Sequence, residues 1–112
     1  MKVDFKELEG KIITSINEEH DSIYFYCSDG SEYLMHHIQD CCESVWIEDV
    51  CGDWEDIFGQ SILQAFDITE KKEFSPTWTF YVIVTNKATI TIRWCGTSNG
   101  YYSEKVTFTK IK

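Results

Sequence analysis

His36, His37, Cys41, Cys42 and Cys51 are the side chains in this chain with the most chemistry available to them. Imidazole nitrogen and thiolate sulfur are the preferred donors for zinc, but structural zinc sites separate paired ligands by two to four residues so that both can point at one ion. Here Cys41 and Cys42 are adjacent, as are His36 and His37, and neighbours on extended backbone diverge to opposite faces. Packing thiols with a hydrogen-bonded histidine account for the cluster better than a metal does. A thiol nucleophile beside His37 would need a depressed pKa, and Asp40 and Glu43 next to Cys41 and Cys42 push the other way. The expectation is no metal, no cofactor, no catalytic residue and no enzyme.

Asp49, Asp53, Glu55 and Asp56 offer oxygens to a hard cation. Their spacing lacks the alternating acids and distal glutamate of a calcium loop. Asp53 instead suits a helix N-cap, Glu55 and Asp56 suit the positive first turn, and Trp54, Ile57 and Phe58 fall on one face of a short helix that exits at Gly59.

These acids belong to a larger pattern. Residues 12–70 hold fourteen Asp and Glu and no Lys or Arg, whereas residues 71–112 hold seven basic and two acidic side chains. The net charge of −9 is therefore concentrated in one half, which repels nucleic acid and anionic membranes and attracts basic protein surfaces. The basic residues of the other half are scattered, which demotes nucleic-acid binding further. The expected partner-binding surface comprises Asp40, Glu43, Glu48, Asp49, Asp53, Glu55 and Asp56. An alternative is a small-ligand or nucleotide-signal site at Ser98, Asn99, Gly100, Tyr101 and Tyr102, flanked by Trp78 and Trp94, since tyrosines beside Ser, Asn and Gly suit a contact loop.

The elements that must position these groups are mostly strands. At 112 residues, with 43% apolar and 15% aromatic side chains, one proline and no linker composition, the chain reads as a single domain spanning residues 1–112. Period-two alternation marks strands at 11–18, 22–28, 31–37, 44–48, 62–68, 77–85, 89–94 and 103–110. Asp29-Gly30 reads as a two-residue hairpin loop, pairing Tyr26 with Tyr33, Phe25 with Leu34, Tyr24 with Met35 and Ile23 with His36. Asn86-Lys87-Ala88 reads as a three-residue loop that places Trp78, Phe80, Val82, Val84, Ile90, Ile92 and Trp94 on one buried face. The resulting fold class is α+β, β-rich: a mostly antiparallel sheet of 6 to 8 strands with one short helix. The N-terminal residues lack an apolar leader core, and an odd count of five cysteines argues for reduced thiols, so a cytoplasmic protein is expected.

Three strings carry a resemblance. They are Glu9-Gly10-Lys11-Ile12-Ile13; His37-Ile38-Gln39-Asp40-Cys41-Cys42-Glu43-Ser44-Val45 with Gly52-Asp53; and Thr77-Trp78-Thr79-Phe80-Tyr81 with Arg93-Trp94 and Ser98-Asn99-Gly100-Tyr101-Tyr102-Ser103. In these the chain resembles a family of small uncharacterised domains encoded mainly by bacteriophages and prophages. The resemblance implies a mobile-element origin and no catalytic residues. Charge and resemblance together lead to the expectation of an acidic binding protein that inhibits a host protein, docking on a basic nucleic-acid-binding surface such as that of a restriction or CRISPR-type defence effector.

Overall fold

Eight strands realise the alternation among the described residues: β1 Ile13–Glu19, β2 Ser22–Cys27, β3 Glu32–His36, β4 Glu43–Cys51, β5 Gln64–Lys71, β6 Thr77–Val84, β7 Thr89–Ser98 and β8 Thr107–Lys110. The computed structural model describes residues 1–38, 43–71, 76–98 and 106–112. The strands form two four-stranded antiparallel sheets, in the orders β1-β2-β3-β8 and β4-β7-β6-β5. One core lies between them. Ile13, Ile23, Phe25, Tyr33, Met35 and Phe108 enter it from the first sheet, and Val45, Ala65, Tyr81, Ile83, Ile90, Ile92 and Trp94 from the second. Phe5, on a 3-10 turn at Phe5–Leu8, closes one end with its ring edge-on to Tyr81 at 5.0 Å and to Phe108 at 5.2 Å.

The expected short helix is a single 3-10 turn, Trp54–Asp56. Asp53 caps it as predicted, accepting from the Glu55 N–H at 3.3 Å. The chain has no room for an α-helix there, because Gly59 N already donates to the carbonyl of Ile13 on the first sheet. Three or four residues cannot offset the entropic cost of a helical nucleus.

Both hairpin registers differ from expectation by one residue. Ile23 pairs with Met35, Phe25 with Tyr33, Tyr24 with Leu34 and Tyr26 with Glu32. The loop therefore has three residues, Ser28-Asp29-Gly30, with Gly30 at φ +88° supplying the left-handed position such a loop requires. This register brings together Ile23, Met35, Phe25 and Tyr33, all fully buried, where the expected one set Ile23 against His36. Asp29 braces the loop by accepting from Ser31 N at 3.0 Å, Ser31 Oγ at 2.5 Å and Lys11 Nζ at 2.6 Å, and these bonds hold its carboxyl far below the usual carboxylate range.

In the β6–β7 hairpin the loop has two residues, Asn86 and Lys87, closed by Thr85 N donating to Ala88 O at 3.0 Å. Thr85 Oγ1 also accepts from Ala88 N at 3.1 Å, which fixes the short loop. Ile83 then pairs with Ile90, Tyr81 with Ile92 and Thr79 with Trp94 on the core face of the sheet, and Val82 and Val84 pair with threonines on the other. Ile90, Ile92 and Trp94 are buried as expected, whereas Trp78, Phe80, Val82 and Val84 lie on the opposite, outer face. Residues 77–84 carry apolar groups on both sides, so either register buries a plausible set. The threonine-tied loop and the fit of Tyr81 and Ile83 against Ile90 and Ile92 select one of them.

Two tyrosines give the fold a predictable alkaline limit. Burial and the hydrogen bond to Glu7 Oε2, at 2.7 Å, push Tyr33 up to about 12, and burial with Asp67 opposite pushes Tyr81 up as well. Unfolded tyrosines ionise near pH 10. A raised folded value means that the stabilisation is complete below about pH 10 and is lost as pH climbs toward about 12, because only the unfolded chain releases these protons readily. A pH titration following tyrosinate absorbance and circular dichroism together should show Tyr33 and Tyr81 ionising last, in step with loss of sheet signal. Their ionisation near pH 10 with the sheet intact would contradict the burial.

Candidate protein-docking surface

β4 is an edge strand of its sheet, and its irregularity organises the acidic side chains. A bulge between Ile47 and Asp49 leaves Glu48 as the extra residue. Trp46 Nε1 donates to Glu48 Oε2 at 2.8 Å, and Arg93 on the neighbouring β7 donates to Asp49 Oδ2 at 2.8 Å. Gly52, at φ +106°, turns the chain out of β4 into the Asp53 cap, and Glu55 and Asp56 stand exposed on the turn that follows.

The end of the β1–β2 hairpin reaches this edge from the other sheet. Its tip contains His20 in the left-handed region at φ +46°, and Asp21 Oδ1 accepts the Ile47 N–H at 3.1 Å. Glu18 Oε1 accepts from Trp54 Nε1 at 2.5 Å, and the Trp54 ring packs edge-on against Phe25 at 6.0 Å. Between hairpin and edge lies a cleft of about 460 Å³, walled by Glu18, His20, Asp49, Asp53 and Trp54 and floored by Ile47 and Val50.

Of the residues expected in the partner-binding surface, the structure brings Glu48, Asp49, Asp53, Glu55 and Asp56 together along β4 and its exit turn. Glu43 opens β4 opposite Ser98, with its side chain outside the described residues, and Asp40 lies outside them altogether. Of the alternative ligand loop, Ser98 ends β7, while Asn99, Gly100, Tyr101 and Tyr102 lie outside the described residues, as do Cys41 and Cys42. Glu18 and Asp21 were not legible as members of the surface. Their partners are 36 and 26 residues away in sequence. The one available signal was the unbroken run of uncompensated acids to which both belong.

The arrangement suits attraction of cations by fixed carboxylates. Among the described residues no group of three or more His, Cys, Asp or Glu side chains is placed to hold a metal ion. His36 Nε2 sits 3.4 Å from Thr109 Oγ1, and burial, with the charges of His37 and Lys2, lowers its pKa. Cys27, Cys51 and Cys95 are in thiol form, and burial pushes the Cys27 thiol up, away from nucleophilic character. No helix among the described residues is long and apolar enough to cross a membrane.

Fold and surface together define a small antiparallel β protein of two sheets, with a carboxylate-rich edge held by contacts between them. By its sequence the chain belongs to the family described as Domain of unknown function (DUF7448), whose model matches residues 6–108. No curated protein and no solved structure matches it.

Proposed function

We propose that this protein is a non-enzymatic binding module that docks its acidic edge onto a basic, nucleic-acid-holding surface of another protein and excludes the nucleic acid. The observation that carries this reading is the gathering of Glu48, Asp49, Asp53, Glu55 and Asp56, joined by Glu18 and Asp21, on one rigid edge of a chain with no Lys or Arg between residues 12 and 70. Grooves that bind phosphate are positive, and carboxylates spaced along a strand and turn can occupy them. Long-range attraction would steer the encounter. The resemblance of the strings at 37–45 and 98–103 to phage and prophage domains supports a host defence protein, met in the host cytoplasm, as the target.

The test is affinity purification from bacterial cells expressing the tagged protein, followed by titration of the captured protein with double-stranded DNA. The parent should compete with DNA for that protein, and its association should slow steeply between low and physiological salt as the Debye length shrinks to about 8 Å. The variant E48Q/D49N/D53N/E55Q/D56N should lose at least tenfold in affinity. Its fold should survive, because Asn caps a turn about as well as Asp and the Arg93–Asp49 pair, 38% and 44% exposed, contributes about 0–1 kcal/mol. Undiminished competition by this variant, or binding indifferent to salt, sinks the reading.

A further inference from the structure

The outer face of the β4-β7-β6-β5 sheet is apolar along β5 and β6, where an antiparallel sheet with one solvated face should alternate to polar. The register sets Phe66 beside Val82 and Ile68 beside Phe80, with Trp78 and Val84 completing the outward row of β6. Phe66 and Ile68 are 39% and 52% exposed, and no described strand or turn packs over this face. Patches of this kind on soluble proteins mark interaction sites.

From this we infer that the outer face of this sheet is a self-association surface, on which a second copy of the chain packs sheet to sheet. Charge selects that occupant. Each chain carries a net charge of −9, so two copies repel one another except where carboxylates are few or answered. On this face the charge of Asp49 is answered by Arg93, and the Arg93 guanidinium lies over the Trp78 ring, 5.3 Å from its centre. Glu70, beside Trp78, sits on the edge strand at a corner. A basic partner finds little to pair with here, whereas a like-charged copy meets a nearly neutral surface. Area is sufficient as well. Four strands at about 4.8 Å spacing and about 3.3 Å per residue over eight residues cover roughly 500 Å². Two copies then bury about 1,000 Å², the threshold of a specific interface, with the aromatic and arginine composition typical of interface hot spots.

Sedimentation of the purified full chain over a concentration series decides the matter. The expected result is reversible assembly from 13.1 kDa to twice that mass, strengthening as salt rises because screening relieves the mutual repulsion of −9 chains. That salt response is opposite in sign to the response expected for docking on a basic partner, so the two readings fail separately. V82K, on the outer face, should weaken assembly at least tenfold with unchanged circular dichroism. I68K, at a more exposed position on the edge strand, should do the same and serves if V82K fails to fold. The variant D53N/E55Q/D56N, changed only on the turn beyond β4, should assemble at least as well as the parent. A chain that stays monomeric to millimolar concentration overturns the inference, as does a dimer that both lysine variants leave intact.

Discussion

Truncation of Trp94 to alanine should remove about 3–5 kcal/mol of stability, the usual cost of deleting a large buried aromatic side chain. Trp94 is 1% exposed and reaches across the core from the second sheet, with Nε1 donating to Met35 Sδ of the first at 3.2 Å. Its loss would leave a cavity at the seam between two sheets that cannot collapse toward each other without breaking their ladders. Against a total of about 5–15 kcal/mol, the variant should be largely unfolded at ambient temperature or melt at least about 10 °C lower. Trp78→Ala is the informative companion, because the observed register puts that ring on the outer face of the same hairpin. Its cost should be about 1 kcal/mol, mainly the contact with Arg93. Chemical denaturation of both variants measures the difference, and equal losses would restore the register in which both rings share one buried face.

Gly52→Ala should rank next and should damage the acidic edge along with the fold. A Cβ at this position would stand 2.8 Å from Ile90 Cδ1 and 2.9 Å from the backbone carbonyl oxygen of Thr89, and the backbone is held at φ +106°. The isoleucine tip can swing away, but the carbonyl belongs to β7 and cannot. Strain at a glycine-only conformation and overpacking each cost about 1–3 kcal/mol, so a loss of about 2–6 kcal/mol is expected. Gly30→Ala separates the two causes, since φ is +88° there with nothing within 4 Å, and only the conformational cost of about 1 kcal/mol applies. If the two variants melt together, the close approach of β4 to the β6–β7 hairpin is wrong. Because Gly52 turns the chain into the Asp53 cap, the alanine variant should also shift Trp54, whose fluorescence reports on its contacts with Glu18 and Phe25.

Local pattern and composition made a good part of this protein legible. Alternation marked the strands, turn residues marked the two hairpins, and Asp53 with the acids after it marked the capped turn, because each depends on residues within a few positions of one another. The uncompensated charge of residues 12–70 is a property of composition and needs no fold to be read. What the chain alone left undecided was which side of each strand faces in. Residues 77–84 are apolar on both faces, and a one-residue slip exchanges them entirely, so a loop one residue shorter moved Trp78, Phe80, Val82 and Val84 from the expected core to the outer surface. The same limit applies to the acidic edge: nothing local ties Glu18 to Trp54 or Asp21 to Ile47. Only the packing of one sheet on the other brings those pairs within hydrogen-bonding distance and turns a run of acids into a shaped surface.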